Sequence, residues 1–470
     1  MIEQLHNNAL KCIVHCLDGE KLGSLDIMSL SLTCKRLFIL LNSSNISSIN
    51  PLLKGTHRIH YNNNNNNNKK SKSNKLSNIV ISSLKTIRFD DSFNQSIPIG
   101  HLPPTLTKLK LGDHFNQRII PGSLPESLVD LTFGNHFNKS LQWRSSRLSS
   151  LLGVITKSSR SSAVPTPSLP QSITRLTFGS RYNKPVEHYQ SDVAGTLLPQ
   201  SLTKLIFGDD FIQPLPANSL PLSLEVLKFG CWYDQSCMAA VTQLQSLRIL
   251  AFASPIHFRD NPPRPHQRGD PTHTFPASLT SLLTTPHGIN DLLLPQTLRV
   301  LLLAGLKTDI VPGMLPPLLE TLILIDFNSL IEPHSLPNSL TILELGSSFD
   351  REVIEPGVLP NSLVILVSGT SFNQVIGPDV LPKGLKSLTL GQFFDKAFRP
   401  GTLPESLTSF SSYTFNLKAE SLPSSIVNLA VGISLIHQSP EHLPNLKYLH
   451  LKSLDNLNSD HMEMVSMWTL

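Results

Sequence analysis

The chain has no run of apolar residues near the ~18 that a membrane-spanning helix requires, so no transmembrane segment is expected. Cysteine is scarce, with five in 470 residues, which rules out a disulfide framework. Charge is sparse and nearly balanced: 39 Lys+Arg against 34 Asp+Glu give a net +5, too mild to argue for nucleic acid. Met1 to Asn8 is polar and lacks a secretory pattern. These absences point to a soluble protein of a reducing compartment, cytoplasmic or nuclear. Signatures of catalysis are missing too. There is no Gly-x-Gly-x-x-Gly, phosphate-binding loop, His-Glu-x-x-His or Gly-x-Ser-x-Gly. Cys12, His15 and Cys16 have helical spacing that suits packing, and Cys231 and Cys237 match no common zinc spacing. The expectation is a non-enzyme with no catalytic, cofactor-binding or metal-binding residues and no cofactor.

What the chain does have is repetition. A unit of about 22 residues recurs from near residue 84 almost to the C-terminus, reading Leu-Pro-x-Ser-Leu-x-x-Leu-x-(Leu/Phe)-Gly-x-x-Phe-(Asn/Asp). The stretch from Leu124 to Asn138 is one clean copy, and that from Leu381 to Asp395 is another. With the Leu that opens each Leu-x-x-Leu-x-Leu core as marker, coils start at Leu84, Leu106, Leu128, Ile173, Leu202, Leu224, Leu247, Leu279, Leu298, Leu319, Leu340, Leu363, Leu385, Leu407, Ile426 and Leu446, with a degenerate copy near Leu148. Long steps before Leu202 and Leu279 mark insertions. The second, from Pro255 to His273, carries three His and three Arg and reads as a basic, Pro-stiffened surface loop.

Each position in the unit has a physical reason. Leu-x-x-Leu-x-Leu is a short strand whose last two apolar residues share a face. One such strand cannot bury that face alone, but parallel neighbours stacked on it form a continuous core. The Gly after the strand is expected to permit a sharp corner. The aromatic that follows should form a buried spine, and the adjacent Asn or Asp should satisfy turn amides in a ladder from coil to coil. Leu-Pro and Pro-Gly steps disfavour a helix on the return limb. The fold class is therefore mainly β: a leucine-rich-repeat-like parallel β solenoid of about 16 coils.

The repeat resembles the FNIP repeat, itself similar to leucine-rich repeats; Phe93-Asn94-Gln95-Ser96-Ile97-Pro98 carries the naming motif almost literally. Residues 79–455 are expected to form this solenoid and 456–470 a C-terminal cap or tail. Residues 1–50 differ, with helical spacing at Leu10, Ile13, Val14 and Leu17 and again from Ile27 to Leu41. The stretch from Leu25 to Phe38 resembles the second half of an F-box. That resemblance implies docking of Ile27, Leu30, Leu32, Leu37 and Phe38 on a Skp-type adaptor of a cullin–RING ubiquitin ligase. Asn8-Ala9-Leu10 stands where the family opens on Leu-Pro, and the alternative is a helical cap on the first coil. Residues 51–78 hold an Asn run followed by four Lys between Lys69 and Lys75, and are expected to be a flexible linker.

The positions that alternate with the core residues should face the open side of the sheet. From Leu84 through Leu224, six of these twelve are basic: Arg88, Lys108, Lys110, Arg175, Lys204 and Lys228, with Asp130 the one acid. Later coils carry Leu283, Val300, Leu302, Ile323, Ile342, Ile365 and Val367 there, with no Lys or Arg. The basic half suggests a partner segment that is acidic or phosphorylated, or else solubilising charge. The apolar strip suggests a hydrophobic contact, or else the β-propensity of Val and Ile. The functional expectation is a protein–protein interaction scaffold serving as substrate-recognition subunit of such a ligase; the alternative is a structural repeat protein.

Overall fold

The computed structural model describes residues 57–59, 84–142, 168–187, 196–230, 232–233, 237–252, 274–284, 294–351, 355–412, 417–432 and 442–452. The described chain forms two compact units, divided between Ser278 and Leu279. In the first, β1 (His57–Ile59), β2 (Thr86–Phe89), β3 (Lys108–Lys110), β4 (Asp130–Thr132), β5 (Arg175–Thr177), β6 (Lys204–Ile206), β7 (Val226–Phe229) and β8 (Ile249–Phe252) pair in parallel in chain order. In the second, β9 (Ser281–Thr284), β10 (Val300–Ala304), β11 (Thr321–Ile325), β12 (Ile342–Leu345), β13 (Ile365–Val367), β14 (Ser387–Thr389), β15 (Ser409–Ser411), β16 (Asn428–Gly432) and β17 (Tyr448–Lys452) do the same. Each unit is a parallel β solenoid of the leucine-rich-repeat kind.

Every one of the sixteen marker residues lies two positions before a strand, β2 to β17. Two details differ from the sequence reading. A strand, β1, sits within the stretch expected to be linker; three residues are too few to show a periodicity. And β4 pairs directly with β5, so the degenerate copy near Leu148 contributes no strand between them. Among the described residues the single α-helix is α1 (Met238–Val241), one turn long, with one 3-10 turn at Ala419–Ser421.

Regular coils are closed by three β-turns that the motif encodes. In Pro-x-x-Leu, the Leu106 amide donates to the Pro103 carbonyl at 3.1 Å. In Gly-x-x-Phe, the Phe115 amide donates to the Gly112 carbonyl at 3.1 Å. In x-Pro-Gly-x, the Ser123 amide donates to the Ile120 carbonyl at 2.9 Å, and Gly122 has φ +80°, the left-handed conformation a type II turn demands at that position.

The glycine after the strand serves another purpose than the corner expected of it. Gly134 and Gly369 are not in the left-handed region. A Cβ on Gly134 would run into the carbonyl of Gly112, and one on Gly369 into that of Gly346. These glycines let successive coils stack backbone on backbone. Gly357, in a Pro-Gly turn, is the converse: φ +90° and open space around it.

The aromatic spine is buried as expected and runs unbroken from Phe93 to Tyr233 in the first unit and from Phe327 to Phe394 in the second, with Phe415 outside the described residues. Phe115 stacks on Phe137 at 6.1 Å, Phe137 on Tyr182 at 5.9 Å and Tyr182 on Phe211 at 6.2 Å. Phe349, Phe372 and Phe394 follow at 6.0 Å intervals. A second ladder, Phe133, Phe178, Phe207 and Phe229, runs beside the first. Tyr182 is the misfit. Its hydroxyl is buried with no hydrogen-bond partner, and burial pushes its pKa well above the ordinary tyrosine value. Replacing Tyr182 with Phe should therefore stabilise the protein by about 1–2 kcal/mol, since an orphaned buried polar group costs that much. Denaturant titration would show a raised midpoint; a lowered one would mean the hydroxyl has a use.

Polar ladders tie the coils together. The Asn94 carbonyl oxygen (Oδ1) accepts the Asn116 amide at 2.9 Å, and Asn116 accepts that of Asn138 at 3.0 Å. Asp350 and Asn373 continue the pattern in the second unit. The Ser of Leu-Pro-x-Ser-Leu has a matching task on another edge. The Ser127 hydroxyl donates to the Leu106 carbonyl and Ser362 to that of Leu340, both at 2.7 Å.

Candidate interaction surface

Two columns of side chains project from the strands of the first unit, set by parallel register. One runs Thr86, Lys108, Asp130, Arg175, Lys204; the other Arg88, Lys110, Thr132, Thr177, Ile206. All are half-buried except Arg88, which is exposed. Side chains neighbouring in a column lie one strand spacing apart, about 4.8 Å. Asp130 therefore meets basic neighbours on both sides. Its Oδ2 lies 3.1 Å from Lys108 Nζ and 3.3 Å from Arg175 Nη2.

The second column puts Arg88 directly opposite Lys110. Partial burial first, and the Arg88 guanidinium second, lower the pKa of Lys110 below the ordinary lysine value, while Asp113 and Asp91 act in the other direction. A lysine held below its usual pKa beside another cation is a place where added negative charge would be favourable. Lys228, expected on this open face, is instead buried. It stands in register between Ile206 and Ala251, among the buried residues of β7 and β8.

The apolar strip of the second unit also differs from expectation. Its residues are not exposed: Leu283 and Val300 are 2% accessible, Ile323 4%, Ile342 7%, and Leu302 and Val367 8%, with Ile365 half-buried. Register does align them, Leu283 with Leu302 and Ile323 in one column, Val300, Thr321, Ile342 and Ile365 in the other. The adaptor-docking candidates Ile27, Leu30, Leu32, Leu37 and Phe38 lie outside the described residues, as does the loop from Pro255 to His273. Among the described residues no group of His, Cys, Asp and Glu is arranged to hold a metal, and no helix is long and apolar enough to cross a membrane.

The family model described as FNIP Repeat matches residues 68–114, 115–145, 194–231, 308–348, 327–371, 349–393 and 372–411. Among solved structures, CroV588, a circular LRR protein, is 28% identical, with a TM-score of 0.56 over 80% of this chain. The chain spans 57% of that protein's length. A leucine-rich repeat protein from Bacteroides ovatus is a far fainter likeness, at 14% identity over 60% of this chain and 74% of that one, with a TM-score of 0.15. Among curated proteins none matches at a significant level.

Proposed function

This chain carries FNIP repeats, and from that premise we propose that it is a protein-binding scaffold whose β2–β6 face takes an acidic or phosphorylated segment of a partner. Repeat solenoids of this kind suit protein–protein interaction, because stacking turns a short motif into a broad regular surface. The observation that carries the reading is the paired column of cations: Arg88 against Lys110, and Lys108 and Arg175 on either side of Asp130 with Lys204 next in line. No covalent chemistry is assigned to the chain.

The finer reading makes the scaffold the substrate-recognition subunit of a cullin–RING ubiquitin ligase, holding the target on the solenoid and the Skp-type adaptor on residues 25–38. What supports it is the likeness of Leu25 to Phe38 to an F-box, with Asp26-Ile27 and Cys34-Lys35 in place. The competing reading, a structural scaffold, predicts no adaptor. Affinity purification of the full chain beside a variant carrying Leu30→Glu and Leu37→Glu separates them. Adaptor and cullin should be recovered with the first and lost with the second; absence from both removes the ligase role and leaves the scaffold.

The face itself is tested with an array of phosphorylated peptides and their unphosphorylated twins. Exposed charge pairs contribute about 0–1 kcal/mol each, so Lys204→Ala alone should change little. Reversing Arg88, Lys110 and Lys204 to Glu together should weaken capture roughly tenfold or more, and raising salt should mimic that loss because such charges are screened. Capture indifferent to both salt and charge reversal would reduce this face to ordinary solvated surface.

A further inference from the structure

We propose, resting on the reading of the β2–β6 face as an acceptor of acidic or phosphorylated segments, that the segment is an extended phosphopeptide lying across the strands along the second column. Its phosphate sits at Arg88 and Lys110, and an apolar residue four positions away sits on Ile206. The two columns differ in what is already satisfied. In the first, Lys108 and Arg175 share Asp130, so their charges are partly neutralised within the protein. In the second, Arg88 faces Lys110 in register, and neither forms an ion pair among the described residues. Asp91 and Asp113 act on Lys110 without pairing with it. The next two rungs are Thr132 and Thr177, side by side, whose hydroxyls make no hydrogen bond among the described residues. The last rung is Ile206. Past it Lys228 and Ala251 are buried, so the accessible column ends there.

Two cations, two hydroxyls and one aliphatic side chain thus follow one another over four strand spacings, about 19 Å. A phosphate carries nearly two negative charges at neutral pH and three acceptor oxygens, enough to serve a guanidinium and an ammonium at once. A carboxylate carries one charge, so the pair of cations selects phosphate over Asp or Glu. The separation follows from two periods. In an extended segment the side chains facing the sheet recur every second residue, about 6.8 Å apart. With the phosphate over Lys110, the next such residue falls between Thr132 and Thr177, whose midpoint is about 7 Å from Lys110. The one after it falls about 13.6 Å on, within about 1 Å of Ile206, which lies three spacings, about 14.4 Å, from Lys110. Separations of three or five residues would turn the apolar side chain away from the sheet.

Fluorescence anisotropy on the full chain tests this with synthetic peptides in which one leucine is moved stepwise away from a phosphoserine, on either side of it. Each peptide has an unphosphorylated twin and an aspartate twin. The expected result is an affinity maximum at a separation of four on one side, roughly fivefold above three and five, with a loss of roughly tenfold or more in either twin. Ile206→Thr should level the separation profile and keep the preference for phosphate, whereas Arg88→Gln combined with Lys110→Gln should remove that preference. A preference for phosphate with a flat separation profile, or a maximum at four that survives Ile206→Thr, would overturn the extended register and leave the acidic-segment reading standing. Aspartate twins that bind as well as phosphoserine would overturn phosphate as the recognised charge. Binding that ignores peptide charge at every separation would remove the acidic-segment reading and this occupant together. The peptide series on the unaltered chain separates these results even where a variant fails to fold.

Discussion

Alanine at Gly369 should destabilise the second unit by about 3 kcal/mol or more, a larger loss than any surface change in this protein. The new methyl group would meet the carbonyl of Gly346 and the Cα of Ser347, both backbone atoms of the preceding coil. A side chain can rotate away from an intruder, whereas a backbone carbonyl can move only if the two coils part. Gly391 stacks on Gly369 in the same way, so the disturbance is felt on both sides. The matched control is Gly357→Ala. There the methyl group meets open space and the cost is that of holding an L-residue at φ +90°, about 1–2 kcal/mol. Denaturant titration of both variants decides the matter: if Gly369→Ala costs no more than Gly357→Ala, close backbone approach is not why the repeat holds glycine there.

Truncating Phe372 to alanine should cost about 3–5 kcal/mol. The ring is 1% accessible and sits between Phe349 and Phe394, with centroids 6.0 Å away on each side. Removing it leaves a ring-sized void between two rings that cannot close on each other, because the strand ladder fixes the coil spacing. Since each repeat touches only its neighbours, the loss should be local. Hydrogen exchange should quicken first at β12 to β14, with β2 to β6 unchanged. Uniform quickening across both units would show that the chain unfolds as one body, not coil by coil.

Strand positions were legible because a marker leucine, a buried alternation and a fixed period coincide at each of them. The spine was legible for the same reason. The Asn ladder followed from an amide side chain recurring beside a turn. The role of glycine was misread, since sequence shows that a Cβ is absent and not which neighbour forbids it. The serine ladder carried a signal, Ser at a fixed place before most strands, but its acceptor lies about 21 residues back and no local pattern names it. The burial of Leu283 to Val367 was beyond sequence reach: alternation says which way a side chain points, and not how much of it stays accessible. Lys228 shows the same limit, a basic residue on the outward column yet buried beside β8.

The Asn ladder has a bearing on how such a chain comes to exist. Asn138 serves the amide of Asn183, 45 residues on, in the way that Asn94 serves that of Asn116, only 22 residues on. The rung is blind to what the intervening chain does. A unit whose leading surface fits its own trailing surface can be copied in tandem by the gene, and each copy arrives with its contacts already matched. Unequal crossing-over can then add or delete coils, and a loop can swell at one edge, without any neighbouring residue having to change. The number of coils in such a protein is a record of duplications, open to selection for reach.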